Sequence, residues 1–99
     1  MQVQNIVAIH PGEILREEFL APLGLSAYAL AKKLHVPRTR IERLVAESTP
    51  ITTNTALRLA KFFDTTPQFW MSMQTAFDLS QEATTIAKDL EKIEALRAA

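Results

Sequence analysis

Apolar residues recur at steps of three and four along nearly the whole chain, and residues that start helices punctuate this pattern. Each apolar run opens on a proline or an N-capping residue: Pro11, Ser26, Pro37, Thr53 or Asn54, and the pair Thr66 and Pro67. The chain has only two glycines and no strand-like alternation. The sequence therefore predicts an all-α fold, a compact five-helix bundle with a C-terminal helical extension.

The zero net charge of the 99 residues hides an uneven distribution. Residues 26–46 hold five cations and one acid, whereas both ends of the chain are acidic. A basic centre predicts a polyanionic partner. There is no cysteine, and no apolar run approaches the ~20 residues that span a bilayer. We therefore expect a cytoplasmic protein without a membrane partner.

Residues 26–45 have the spacing of two helices that cross at a tight turn. Ala31 is small where the helices must approach closely, and His35 stands in the turn, where a positive φ usually favours glycine. Ile41 and Leu44 follow Ala31 by ten and thirteen residues, which packs the next helix against it. These four residues form a helix-turn-helix pattern.

Four stretches together carry a family resemblance: HPGEILREEF, LGLSAYALAKKLHVPRTRIERLV, ITTNTALRLAKFF and TTPQFW. Over about residues 10–79 the chain resembles the HigA antitoxins, which are small helix-turn-helix proteins of the Cro and lambda-repressor-like class. The resemblance implies a homodimer that binds a palindromic double-stranded DNA operator and represses its own operon. It also implies a partner toxin of the HigB type, an mRNA-cleaving ribonuclease.

Helical geometry shows which side chains of the second helix of the motif point away from the core. With Ile41 at the centre of the buried side and about 100° per residue, Thr39 and Arg43 lie nearly opposite. For this fold class we expect three residues to contact base edges: Arg38, Thr39 and Arg43. We expect seven to contact phosphate: Ser26, Tyr28, Lys32, Arg40, Thr52, Thr53 and Asn54.

Three other interpretations remain open at this stage. The arginines can be an ordinary solvated helix face, the chain can be a repressor without a toxin, or it can be a toxin-binding module that binds DNA weakly. The loop Ala46–Thr49 favours the last, because it carries Glu47 where the family often has cations. His10 and His35 have no second metal ligand nearby, and no catalytic grouping is present. We therefore expect no metal, no cofactor and no enzymatic activity.

The last third of the chain supplies candidates for a seam with a partner. In the fourth helix, Leu57, Ala60 and Phe63 are expected to form the inner face, with Leu59 and Phe62 beside it. The fifth helix offers Trp70, Met73 and Phe77, as core or as a dimer seam. Leu79 and Ala83 lead into a heptad-like series with Ile86, Leu90 and Ile93. This series predicts an amphipathic tail over residues 80–99, beside a domain over residues 1–79. The tail can pack on its own bundle, on a dimer mate or on the toxin.

Overall fold

The apolar stripes of the chain form six helices in a computed structural model that describes residues 8–97. Helix α1 joins an α-helical turn Pro11–Ile14, a π-helical turn Leu15–Leu20 and the short segment Ala21–Leu23, and it is followed by α2 Ala27–Leu34, α3 Arg38–Val45, α4 Thr53–Phe63, α5 Pro67–Thr85 and α6 Ala87–Glu91. No strand occurs within these residues. The prediction of an all-α fold is confirmed.

Side-chain caps fix the starts of the helices. The Ser26 hydroxyl accepts a hydrogen bond from the Ala29 amide at 3.0 Å, and Thr66 accepts one from Phe69 at 3.1 Å. Two predicted starts are wrong by one or two residues: Pro37 is the N-cap of α3, and Thr52 is the N-cap of α4. Thr52, Thr53 and Asn54 are all good capping residues, so residue type alone does not choose among them.

The core is centred on Trp70, which is completely buried and donates its indole N–H to the Thr65 hydroxyl at 2.9 Å. Phe19 lies 5.0 Å from the Trp70 ring and 4.8 Å from the Phe63 ring, measured between centroids. Of the two predicted alternatives for Trp70, core or dimer seam, the structure selects the core, because its own chain covers the ring. Met73 is partly buried against this core. Phe77 is also half-buried, with its ring centroid 4.9 Å from that of His10.

The inner face of α4 differs from the predicted one. Leu57 is 59% exposed, and the buried apolar positions are Ala56, Leu59 and Ala60. Phe63 is partly buried, as expected. The apolar stripe of α4 is wide enough to allow two phases, and the packing against α2 and α5 selects one of them.

The C-terminal segment is not one continuous helix. Helix α5 runs through the predicted boundary at residue 79 to Thr85, and the backbone leaves the helical region at Ile86, where φ is −108°. The Thr84 and Thr85 hydroxyls bond carbonyls one turn earlier, a pattern that bends helices. After α6, residues 92–97 are not helical. The heptad-like series is thus broken at its centre.

Of the predicted tail over residues 80–99, residues 80–85 belong to α5, and residues 98 and 99 lie outside the described residues. The remaining residues 86–97, called the tail below, do not pack on the bundle. Leu90 is 46% exposed, Ile93 is 69% exposed and Leu96 is fully exposed. The described chain therefore extends over 56 Å along its long axis, against 24 and 23 Å across. The alternative in which the tail packs on its own bundle is wrong for this structure.

Helix α1 supports the end of α3. The Arg16 guanidinium donates a hydrogen bond to the Val45 carbonyl and lies 3.2 Å from the Glu47 carboxylate. Gly12 is buried so closely against α3 that an added Cβ would lie 1.9 Å from the Leu44 carbonyl oxygen. These contacts with α1 fix the position of the C-terminal end of α3. None of the helices in residues 8–97 is long and apolar enough to cross a membrane.

Candidate nucleic-acid interface

The turn between α2 and α3 is built by a left-handed residue. His35 has φ 59° and ψ 47°, and the amides of His35 and Val36 bond the carbonyls of Lys32 and Ala31. This geometry ends α2 and turns the chain toward α3. Behind the turn, Ala31, Ile41 and Leu44 have exposed fractions of 1%, 0% and 2%. The four residues of the sequence pattern therefore occupy a turn and the packed crossing of two helices.

Helix α3 presents a charged outer face. Five of its eight residues are exposed: Arg38, Thr39, Arg40, Glu42 and Arg43. Because Ile41 and Leu44 occupy the opposite side, the helix cannot rotate to hide these side chains without unpacking the core. The three residues predicted to contact base edges are all exposed on this face.

On one edge of this face, α3 meets an aromatic ring of α2. The Arg38 guanidinium lies 5.6 Å from the centroid of the Tyr28 ring and 3.3 Å from the Glu42 carboxylate. The Lys32 ammonium lies 5.5 Å from the same ring. Cations within about 6 Å of an aromatic face are attracted to it. Arg38 therefore contacts Tyr28 and Glu42 in the absence of a ligand, and Lys32 lies at the same edge.

On the other edge, α3 is tied to α4. Asn54 accepts hydrogen bonds from Arg40 and from Arg58, both at 2.8 Å. Arg58 also donates to the Leu34 carbonyl at the end of α2, at 2.7 Å. Sequence analysis did not assign Arg58 a role, although its i, i+4 spacing from Asn54 is a readable signal. Arg58 links α2 and α4, and Asn54 connects that link to α3.

A groove of about 410 Å³ separates the outer face of α3 from the start of α4. Its lining includes five of the predicted DNA-contacting residues: Thr39, Arg40, Arg43, Thr52 and Asn54. Thr49 and Pro50 of the connecting loop also line it, and sequence analysis had not included them. Arg43 forms no ion pair or side-chain hydrogen bond within residues 8–97. Its guanidinium is therefore available to a ligand in the groove.

The remaining predicted phosphate contacts lie outside the groove. Ser26, at the start of α2, and Thr53, beside the N-cap of α4, are both exposed. The Ser26 hydroxyl uses a lone pair as a helix cap, which leaves its hydrogen free to donate to an anion. The Thr52 hydroxyl caps α4 and donates to the Thr55 hydroxyl at 3.3 Å, so it must exchange that partner to donate to an anion. The starts of α2 and α4 also present amides that helix geometry leaves unbonded. The surface thus offers neutral donors beside its cations.

The loop after α3 directs its acid away from the groove. Glu47 has φ 63° and pairs with Arg16 of α1, and the Ser48 hydroxyl returns to the Arg43 carbonyl at 3.1 Å. The pKa of Arg16 is raised, mainly by its hydrogen bond to Glu17. Partial burial lowers this pKa, and the hydrogen bond to Glu47 raises it further. Glu47 therefore has a cationic partner within the chain and does not line the groove.

Among residues 8–97, no three histidine or acidic side chains are grouped so that they could hold a metal ion. His10 is a helix cap whose Nδ1 accepts the Gly12 amide at 2.8 Å. The arrangement offers cations, hydroxyls and helix starts on one surface, which is the chemistry that binds phosphate and base edges.

The fold and this surface define a helix-turn-helix protein, and residues 15–70 match the sequence profile of the helix-turn-helix family. Virulence-associated protein I of Dichelobacter nodosus is 61% identical over 72 residues, which cover 73% of this chain and 67% of that relative. The antitoxin HigA of Pseudomonas aeruginosa, solved with the higBA promoter, superposes with a TM-score of 0.88 at 40% identity, over 91% of this chain and 99% of that one. The antitoxin GraA, solved in complex with its operator, gives 0.89 at 38% identity, over 99% of this chain and 100% of that one. The chain belongs to the helix-turn-helix family and, within it, to the HigA-type antitoxins.

Proposed function

We propose that this protein binds the operator of its own operon through α3, as the antitoxin of a type II toxin-antitoxin pair. The exposed α3 face above the Ile41 and Leu44 core supports this most directly, because its donors share a groove with the start of α4. In this arrangement α3 enters the major groove and α4 contacts the flanking phosphates. The relatives solved with a promoter and with an operator support the same assignment.

The contacts of the arginines support a division of roles among them. Arg43 and Thr39 contact base edges, because Arg43 has no partner within residues 8–97 and offers two donors to guanine O6 and N7. Arg38 contacts a base edge or the backbone from the N-terminus of α3, held by Tyr28 and Glu42. Arg40 contacts phosphate from the other edge, beside Asn54. The remaining neutral donors contact phosphate: Ser26, Thr52 and Thr53.

The experiment compares operator DNA with a scrambled duplex in fluorescence anisotropy. Arg43→Ala is expected to reduce the preference for the operator by about 5- to 150-fold, the value of one bidentate contact to a base. Lys88→Ala is the matched control, since it removes the same charge from α6, and it should leave the preference unchanged. Equal binding of both duplexes by the unaltered protein would refute sequence-specific recognition.

The tail and the second half of α5 supply the partner surface in this proposal. Four apolar side chains there support a contact with another protein, because residues 8–97 leave them exposed: Leu79, Leu90, Ile93 and Leu96. A dimer would place two α3 helices about 34 Å apart on a palindromic operator. The toxin of the pair, an mRNA-cleaving enzyme, would be neutralised by binding, and the antitoxin itself would need no catalytic activity. Such a protein acts in the cytoplasm.

Sedimentation of the purified chain distinguishes two possible partners of the tail, a second copy of the chain and the toxin. Ile93→Ser is expected to dissociate the dimer if the tail meets a second copy. If the tail meets the toxin, the same variant stays dimeric and fails to copurify with the small basic protein encoded beside it. A chain that remains dimeric and retains that protein would show that the tail has neither role.

A further inference from the structure

Gln74 is a buried polar residue of α5 that the proposed function does not use. Its side chain is 4% exposed and lies 23 residues from the loop that it contacts. Its Oε1 accepts a hydrogen bond from the Ile51 amide at 2.7 Å, and its Nε2 donates to the Asp78 carboxylate at 2.9 Å. Both ends of the amide are therefore committed, and its orientation is fixed.

The partner of Gln74 lies next to the groove. Ile51 directly precedes Thr52, the N-cap of α4, and Thr52 and Asn54 line the groove opposite Arg43. Ile51 is itself 3% exposed, so its amide has no access to water and needs an acceptor from the protein. Within residues 8–97, no backbone carbonyl of a helix supplies that acceptor. The side chain of Gln74 determines where this end of the loop is held.

We propose that Gln74 is a positioning residue for DNA binding: it sets the start of α4 at the distance from α3 at which both can contact one DNA duplex. Asp78 fixes the orientation of the Gln74 amide: because the Asp78 carboxylate accepts from Gln74 Nε2, Gln74 Oε1 stays directed at the Ile51 amide. Gln74 acts through the loop and does not touch the DNA. This inference rests on the proposed function, since it assigns α4 as the phosphate-contacting element.

The proposal predicts a specific salt dependence of operator binding. The groups that Gln74 positions, the Thr52 hydroxyl and the amides at the start of α4, are neutral, whereas α3 contributes cations. Salt dependence counts the phosphates neutralised by cations. Losing the Gln74 contact should therefore weaken operator binding without changing its salt slope. By contrast, Arg40→Ala removes a cation assigned to phosphate and should make the slope shallower by about 0.9.

The test uses the full chain with Gln74→Leu, which removes the acceptor and approximately keeps the side-chain volume. The operator Kd, measured per folded molecule after stoichiometric titration, should rise about tenfold, the size of one hydrogen bond to a charged group. The slope of log Kd against log salt should stay that of the unaltered protein. A residue with a purely structural role would lower the unfolding temperature and leave the Kd of the folded molecules unchanged.

A pair of variants tests the hydrogen bonds themselves and does not depend on Gln74→Leu folding. In Gln74→Glu the new carboxylate can still accept from Ile51, but it faces the Asp78 carboxylate, so this variant should weaken binding to a similar degree. Adding Asp78→Asn places an amide donor opposite the new carboxylate and should restore the Kd. Asp78→Asn alone should bind normally, because the oxygen of the new amide can accept from Gln74.

The outcomes separate this inference from the proposed function. If the unaltered protein does not prefer its operator, both are overturned. If it does, and Gln74→Leu leaves the Kd of the folded protein unchanged, only the positioning role is overturned. A folded double variant, with Gln74→Glu and Asp78→Asn together, that fails to recover binding overturns the hydrogen-bond basis of the role.

Discussion

Replacing Gly12 by alanine tests the contact between α1 and the end of α3. The new methyl group would lie 1.9 Å from the Leu44 carbonyl oxygen and 2.9 Å from its carbon, and both are backbone atoms that no rotamer change can move. Forcing extra volume into a packed site costs about 1–3 kcal/mol, and a clash with backbone belongs at the upper end. Alanine regains up to ~1 kcal/mol through its higher helix propensity. We expect a net loss of about 2 kcal/mol.

Thermal unfolding followed by circular dichroism at 222 nm measures this loss. For a domain of this size, about 2 kcal/mol corresponds to a fall in Tm of roughly 8–16 °C. Gly24→Ala is the comparison, because a Cβ at Gly24 meets no atom within 4 Å and only its φ of +62° is strained. That change should cost about 1–2 kcal/mol without affecting α3. A Tm of Gly12→Ala within 2 °C of the unaltered protein would show that α1 does not press on α3 as described.

Two further predictions concern the ends of the site and of the chain. The Glu47→Gly variant should be more stable than Glu47→Ala by about 1–2 kcal/mol. Both variants lose the ion pair with Arg16, and only alanine keeps a side chain at φ 63°. Equal unfolding temperatures of the two variants would contradict a left-handed residue there. Ending the chain after Ile86 should change the unfolding free energy of the bundle by less than ~1 kcal/mol at low protein concentration, because the apolar side chains removed are largely exposed. A fall in Tm of more than 10 °C would show that the tail packs on the bundle.

The parts of the fold that depend on local signals could be predicted. The caps at Ser26 and Thr66 and the left-handed turn at His35 follow from residue type and from the preceding few residues. The outward direction of Thr39 and Arg43 follows from Ile41 by the period of the helix alone. The groove depends on more, since it is formed by α3 and α4 across a loop whose path no local signal specifies.

The sequence predictions were wrong where two phases of an apolar stripe fit a helix almost equally well, and where a helix needed another surface to pack against. Leu57 and Leu59 fit an apolar stripe equally well, and only the packing of α4 against its neighbours selects Leu59. The heptad-like series suggested a helix through Ile93, but a short helix without a covering surface is marginal, and the Thr84 and Thr85 hydroxyls compete for its carbonyls. Trp70 could have served a seam or a core, and its complete burial places it in the core.

The sequence by itself determined that the chain is helical, that a turn at His35 separates α2 from α3, and which face of α3 carries cations, because helix periodicity and capping act over a few residues. Only the tertiary structure decided that Glu47 pairs with Arg16, that Asn54 joins Arg40 to Arg58, and that Gln74 holds Ile51. Each of these contacts joins parts of the chain whose distance is set by helix packing. Hydrogen bonds and ion pairs act over a few ångströms, so they appear only after packing has fixed those distances.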